Sequence, residues 1–66
     1  MSVVKVIEVI SEGKNVEDAL NTAVKEAAKT VENINQINVD HILGIVENNQ
    51  VTKTRIHAKI SFVVAR

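Results

Sequence analysis

The sequence predicts an α+β domain with the element order β-α-β-β, in which a three-stranded antiparallel sheet wraps around one helix. Two observations predict this order. Stretches rich in Val and Ile stand at both ends of the chain, and a segment between them has the apolar spacing of a helix. With 66 residues, no Pro and two Gly, the chain forms at most one domain, spanning residues 1–66.

The first strand is predicted over Val3–Ile10, because its β-branched residues favour extended backbone. Gly13, in the following segment SEGKN, is expected to end it. The helix is predicted over NVEDALNTAVKEAAKTVEN, with Asn15 as its N-cap and the negative charges of Glu17 and Asp18 in its first turn. Its apolar residues recur three and four positions apart and form one stripe, half of it alanine: Val16, Ala19, Leu20, Ala23, Val24, Ala27, Ala28 and Val31.

A long hairpin is predicted to close the chain, with strands from about Ile34 to Glu47 and from Val51 to about Val64. The segment ENNQ is the expected turn, because Asn tolerates the positive φ of tight hairpin turns. Burial then favours one register, which places both apolar rows on the side of the helix. A regular ladder opposes Ile56 to His41, Ala58 to Val39 and Ile60 to Ile37 on the helix side, and Arg55 to Ile42, His57 to Asp40, Lys59 to Asn38 and Ser61 to Gln36 on the other side.

The length of these strands predicts self-association. Strands of about 14 residues run roughly 45 Å, whereas a compact chain of this size has a diameter of only about 30 Å. A helix of about 18 residues spans roughly 27 Å and cannot cover them. The hairpin must therefore curl around the helix or project into neighbouring subunits, and we expect a closed homo-oligomer with intersubunit contacts through the hairpin.

Composition argues against several classes of function. The formal net charge is zero and the chain has one aromatic residue, Phe62, which disfavours nucleic-acid binding. The chain lacks Cys, and its apolar runs are too short to span a membrane. Ser11 and Ser61 have no visible base partner, and Gly13 and Gly44 are isolated, so the sequence predicts no enzyme. The start has no signal-peptide pattern, and we expect a cytoplasmic protein without a membrane or nucleic-acid partner.

The chain resembles the dodecins, small β-α-β-β proteins that assemble into hollow dodecamers. The resemblance rests on the opening MSVVKVIEVI, the helix NVEDALNTAVKEAAKTVENI and the closing KTRIHAKISFVV with Phe62. It implies a homododecamer that stores small ligands without catalysis. Flavins such as riboflavin or FMN are the ligands that it implies, and calcium is the ligand implied for family members that lack the flavin-stacking Trp.

The same resemblance places Gln36 at the position of the flavin-stacking Trp, and Arg55 at the position of a Gln that hydrogen-bonds the flavin edge. An amide has no large aromatic face, and a guanidinium donates hydrogen bonds but accepts none. Gln36 and Arg55 are the predicted ligand-facing residues, with Asp40, His57 and Lys59 as weaker candidates. The alternative is a structural or calcium-binding particle without an organic ligand.

Each polar candidate also has a structural interpretation. Lys53, Arg55 and Lys59 could line an anion pocket, but a solvated or salt-bridged sheet face is favoured. His57 opposite Asp40 could be a metal pair or a proton relay, and a cross-strand ion pair is the simpler prediction. His41 lies in an apolar row, so a partly buried structural histidine is favoured over a pH sensor.

Overall fold

The computed structural model describes residues 2–64 and confirms the predicted order of elements. Strand β1 spans Val3–Gly13, helix α1 spans Val16–Ala27, strand β2 spans Ile34–Glu47 and strand β3 spans Gln50–Val64. The three strands form one antiparallel sheet in the order β1-β3-β2, so β3 lies in the centre. The helix packs against all three strands on one face of this sheet.

Strand β1 continues past the predicted break at Ile10 as far as Gly13. The buried Ser11 hydroxyl donates a hydrogen bond of 2.9 Å to the carbonyl of Ala19 in the helix. A Cβ at Gly13 would lie 2.6 Å from the backbone nitrogen of Ala19. Glycine is therefore needed here because the first turn of the helix lies directly against the strand, which ends at Gly13 as predicted, although its last three residues lie beyond the predicted Ile10.

The helix begins as predicted and ends earlier. The Asn15 side chain accepts a 2.8 Å hydrogen bond from the Asp18 backbone nitrogen, and the Asp18 carboxylate accepts one of 2.8 Å from the Lys14 backbone nitrogen. The first bond satisfies the Asp18 amide, which the first turn leaves unpaired, and the second ties the Lys14 amide, just before the helix, to the same turn. The helix ends at Ala27 and does not reach Val31. Hydrogen bonds to the Ala27 carbonyl tighten the following residues into turns, which direct the chain back towards β2.

The core is thin because alanines form the buried stripe of the helix. Ala19, Ala23 and Ala27 face the sheet, where Ile56 and Ile60 of β3 are the two large side chains that are fully buried. Small side chains let the helix lie close to the central strand. Around these residues pack partly buried apolar side chains of all three strands and the helix: Ile7, Val9, Leu20, Ile34, Ile37 and Val39.

The hairpin turn has the predicted geometry. Asn48 and Asn49 have φ angles of 52° and 61°, and Glu47 pairs with Gln50 across the turn. Positive φ at both central residues is the signature of the type I′ turn, whose twist matches that of the flanking strands. The two asparagines therefore fix the start of the ladder as the sequence indicated.

The predicted register is correct at the ends of the hairpin and wrong in its middle. Four predicted pairs are confirmed: Ile60 with Ile37, Lys59 with Asn38, Ala58 with Val39 and Ser61 with Gln36. Three are wrong, since His41 pairs with His57, Ile42 with Ile56 and Leu43 with Arg55, in place of the predicted Ile56–His41, Arg55–Ile42 and His57–Asp40 pairs.

Two β-bulges that compensate each other cause this difference. Asp40 is an extra residue in β2, between the Val39–Ala58 and His41–His57 pairs. Thr52 is an extra residue in β3, between the Ile45–Lys53 and Val46–Val51 pairs, and restores the predicted register. A third irregularity lies near the start of β2, at Asn35.

Between these bulges the side chains of β2 exchange faces. Ile42 now shares the helix-side face with the buried Ile56, and His41 shares the opposite face with His57. His41 is exposed, so the prediction of a partly buried histidine beside the helix is wrong. The bulge at Asp40 is the physical reason for its new position.

The molecule is elongated, as the strand lengths predicted. Its extents are 51 × 20 × 14 Å, and its radius of gyration is 13.6 Å, whereas a compact chain of this length has about 11 Å. The helix of 12 residues spans about 18 Å, so the hairpin extends well beyond it. Within residues 2–64, no helix has the length and apolar character required to cross a membrane.

Candidate functional site

The sheet face opposite the helix, here called the outer face, carries the polar row of β3. Cross-strand pairing places residues of β1 and β2 beside this row on the same face. No element among residues 2–64 covers it. Its principal side chains are Val6, Glu8, Ile10 and Glu12 from β1, Lys53, Arg55, His57, Lys59 and Ser61 from β3, and Gln36, Asn38, Asp40, His41 and Leu43 from β2.

Glu12 forms salt bridges with Lys53 and Arg55 at one end of this row. The Arg55 Nε donates a hydrogen bond of 2.7 Å to Glu12 Oε2, and Lys53 Nζ lies 3.4 Å from Glu12 Oε1. The hydrogen bonds from Arg55 and then Lys53 lower the pKa of the Glu12 carboxyl below its ordinary value of 4.5. Two cations share one carboxylate here, so this end of the outer face keeps one unit of positive charge.

Asp40 and Lys59 form a second polar cluster nearer the middle of the sheet. Lys59 Nζ lies 3.6 Å from Asp40 Oδ2, and the Asn38 amide lies 3.5 Å from Asp40 Oδ1. The predicted ion pair between His57 and Asp40 is therefore wrong, since the Asp40 carboxylate forms its salt bridge with Lys59. Lys53 and Arg55 also form salt bridges, so of the solvated or salt-bridged sheet face that the sequence favoured, the structure has the salt-bridged form for all three cations.

His57 contacts the other histidine of the chain. The ring centroids of His41 and His57 lie 5.7 Å apart with an angle of 75° between the ring planes, an edge-to-face arrangement. The two residues are directly opposite each other on β2 and β3. The bulge at Asp40 creates this pair, which the regular ladder assumed from the sequence did not contain.

Gln36 is exposed and pairs with Ser61, so it lies at the far end of the row from Arg55. Ser61 lies six positions beyond Arg55 in β3, which corresponds to about 20 Å along the strand. The structure thus brings together Asp40, His57 and Lys59 of the predicted site residues, and leaves Gln36 and Arg55 apart. One chain cannot place both residues on the same small ligand.

A depression of about 530 Å³ lies at the centre of the outer face, around the histidine pair. Glu8 and Ile10 of β1 form one side of it, and Asp40, His41, His57 and Lys59 form the rest of its polar lining. Among the described residues, no three histidines or carboxylates lie close enough together to hold a metal ion. The sequence therefore identified part of this lining and missed Glu8, Ile10 and His41.

A signal for the missed residues was present in β1. Every second residue of β1 lies on the same face of the strand, which here gives Val4, Val6, Glu8, Ile10 and Glu12. The two acidic residues in this row are four positions apart. Once β1 is paired with β3, Glu12 falls opposite Arg55 and Glu8 opposite Lys59. Opposite charges on paired strands favour that register, so charge matching could have located these residues.

Comparisons with known proteins agree on one family. The family model described as dodecin matches residues 3–65. A structure of a protein from Thermus thermophilus superposes with a TM-score of 0.92 at 21% sequence identity, covering 100% of this chain and 98% of that one. Dodecin from Streptomyces coelicolor superposes with a TM-score of 0.89 at 24% identity, covering 98% of this chain and 94% of that one.

Dodecin from Streptomyces davaonensis has a TM-score of 0.89 at 17% identity, covering 98% of this chain and 97% of that one. At these identities the likeness to solved structures concerns the fold. A search of curated protein sequences found no match.

Proposed function

This chain belongs to the dodecin family, and from that premise we propose that it is a non-catalytic, cytoplasmic protein that binds and stores small ligands in a hollow homo-oligomer. The family pattern indicates a dodecamer built from single domains of residues 1–66. The observation that carries the proposal is the bare outer face, on which polar clusters are bordered by exposed apolar side chains. Storage here means reversible binding, in which no covalent bond forms or breaks.

The exposed surface supports self-association. The chain exposes 4911 Å², whereas a compact monomer of this mass exposes roughly 4,100 Å². Much of the surface is apolar, and its large hydrophobic side chains occur on all three strands. Those that are at least two-fifths exposed are Val3, Val4, Val6, Ile10, Ile42, Leu43, Val46 and Val51.

The distance between Gln36 and Arg55 supports a ligand site at a junction between chains. At about 20 Å along the sheet, these two positions can meet on one small molecule only if different chains contribute them. Symmetric assembly of several copies brings such distant positions together, and it repeats the site once for each junction. Storage capacity then follows from the number of junctions in the particle.

The charge at the Arg55 end indicates the chemistry of the ligand. Arg55 and Lys53 together exceed Glu12 by one positive charge, so a ligand with an anionic or carbonyl-rich group suits this end. Gln36 offers an amide donor and acceptor where an aromatic ring would stack. We therefore propose polar contacts as the main source of affinity, with flavins as weak ligands.

The alternative is a structural or calcium-binding particle without an organic ligand, and the amide at Gln36 favours it. Native mass spectrometry of the purified particle separates the two functions. Storage predicts excess mass that corresponds to an organic molecule, or saturable uptake of riboflavin or FMN. A particle that carries no organic ligand and takes up neither flavin would contradict the storage proposal and support the alternative, whether or not it carries metal ions.

Gln36→Trp tests whether the ancestral ligand position lies at this residue. A stacked aromatic pair contributes about 1 kcal/mol, so we expect Kd for riboflavin to fall about fivefold or more. Fluorescence quenching on titration measures this change. Asn38→Trp is the matched control, since Asn38 lies two residues further along the same face of β2; equal gains in both variants would rule out a specific position.

A further inference from the structure

We propose that His41 and His57 form a binding site for a divalent transition metal ion of the Zn²⁺ class. The inference goes beyond the proposed ligand storage and does not depend on it. It differs from calcium binding as well, because imidazole nitrogen suits zinc, copper and nickel, whereas calcium takes oxygen ligands. The site is the centre of the depression on the outer face.

The distance between the two rings allows both to bind one metal ion. A metal ion at about 2.0–2.1 Å from an imidazole nitrogen lies roughly 3.2 Å from the centroid of that ring. Two such rings at a tetrahedral angle have their centroids about 5.2 Å apart. The observed separation of 5.7 Å differs from this distance by half an ångström, and the ring planes stand at 75° to each other. Binding therefore requires rotation of the side chains that turns one nitrogen of each ring towards the ion.

The backbone supports the pair on both sides. His41 and His57 are directly opposed across hydrogen-bonded strands, one of them the central strand of the sheet. This placement fixes the two Cβ atoms at about 4.5–5.5 Å from each other. The site therefore needs little reorganisation of the backbone to bind an ion.

The bulge at Asp40 is what aims His41 at His57. In the regular ladder His41 would face Ile56 and the helix, far from any second ligand. Bulges are known to redirect side chains next to functional sites. Here one inserted residue brings together the two histidines of the chain.

The charges around the pair favour a cation. Glu8 and Asp40 contribute two negative charges to the lining, and Lys59 contributes one positive charge. Lys59 is held by Asp40 at 3.6 Å, which reduces its repulsion of an ion at the histidines. With neutral imidazoles the depression carries a net charge of minus one, and water completes the coordination of the ion.

The test measures Zn²⁺ affinity of the full-length native particle after removal of metals by a chelator. Competition with a chromophoric zinc indicator at pH 7.5 gives Kd for the wild type, for His41→Asn, for His57→Asn and for a matched control, Glu26→Gln, on the exposed side of the helix. Loss of even an outer contact of a metal site weakens binding about 10- to 100-fold, so each histidine variant should lose tenfold or more. The control should match the wild type, and excess Ca²⁺ should not displace the zinc.

Wild-type affinity in the double variant His41→Asn with His57→Asn would overturn the proposal. Should the variants fail to assemble, NMR of histidine-labelled wild-type particle gives the answer without a mutation. Addition of Zn²⁺ should shift the ring resonances of both histidines together, and unchanged resonances at saturating Zn²⁺ would equally overturn it. Neither result bears on uptake of an organic ligand at the Arg55 and Gln36 junctions, so the two proposals fail independently.

Discussion

The two glycines of the chain show how strongly local space decides the role of one residue. A Cβ at Gly13 would lie 2.6 Å from the Ala19 nitrogen and 2.9 Å from the Asp18 carbonyl carbon, both of them backbone atoms. A Cβ at Gly44 would meet the nearest side-chain atom, on Val51, at 3.5 Å. Neither glycine has a positive φ, so space and not backbone conformation distinguishes them.

Gly13→Ala is expected to destabilise the protein by about 1–3 kcal/mol, because the helix must move away from β1. Gly44→Ala is the matched control and should be neutral or stabilising by up to about 1 kcal/mol, since alanine restricts the unfolded chain more than glycine does. Guanidinium denaturation of both variants measures the difference. Equal effects of the two substitutions would show that the contact between the helix and β1 is looser than described.

Glu12 makes stability depend on pH in the acid range. Its pKa is lowered in the folded protein by hydrogen bonds from Arg55 and Lys53, so the folded state binds the proton less readily than the unfolded state. The stabilisation from Glu12 is present above its ordinary pKa of 4.5 and is lost as pH falls through the lower folded value. We expect Glu12→Gln to reduce stability at pH 7 and to flatten its decline below about pH 4.5.

Thermal melts of wild type and Glu12→Gln between pH 7 and pH 3 test this expectation. Glu17→Gln is a suitable control, because Glu17 is exposed in the first turn of the helix and outside the outer face. A wild-type pH profile that Glu12→Gln leaves unchanged would mean that the salt bridges to Arg55 and Lys53 do not persist in solution.

Among the elements, the helix followed from local sequence, whereas the hairpin depended on tertiary packing. The cap at Asn15 and Asp18 and the spacing of the alanine stripe are both features of the helical segment itself, so the sequence predicted the start and the buried face of the helix correctly. The helix end was missed because Ala28 and Val31 extend the apolar pattern past the point where the chain must turn. Helix propensity alone does not indicate where that turn occurs.

The register in the middle of the hairpin could not be predicted from the alternation of apolar and polar residues. In the segment HILGIV, apolar residues occupy both phases of a two-residue repeat, so either Ile42 or His41 and Leu43 could face the helix. The structure resolves this ambiguity by pairing Ile42 with the buried Ile56, and that pairing exists only once the sheet has formed. The predicted ion pair between His57 and Asp40 was wrong for the same reason. The β-bulge at Asp40 separates these two residues and places His41 opposite His57.

The N-cap gives a prediction at the scale of the helix. Asn15→Ala removes the acceptor of the Asp18 amide and should cost about 1 kcal/mol of stability. Asn21→Ala is the matched control, because Asn21 is exposed within the same helix, where alanine has the higher helix propensity. Chemical denaturation should show the first variant below the wild type and the second level with it or above, and the reverse order would refute the capping role.

The whole molecule has more surface than its core can account for. Two large side chains, Ile56 and Ile60, are fully buried in the described residues, while large apolar groups are exposed along 51 Å of sheet. A core of this size gives a small chain only marginal stability. In the proposed assembly, contacts between copies supply much of the free energy of folding.

Association is accordingly expected to govern stability. Light scattering or native mass spectrometry of dilute protein should show a closed particle of many chains of 7.2 kDa each. The denaturation midpoint should rise with protein concentration, since folding and assembly are linked. A compact, stable single chain with a midpoint that does not depend on concentration would contradict both the proposed assembly and the ligand sites at its junctions.

The irregularities at Asn35 and Asp40 also affect the chain before it meets its partners. Strand β2 is an edge strand of the sheet. A straight edge strand of this length can pair with the edge strands of other newly synthesised chains and lead to fibrils. Each extra residue bends the strand and interrupts the even row of free amides and carbonyls on which such pairing would propagate. In the proposed assembly, these irregularities would disfavour fibril formation by newly synthesised chains before they associate.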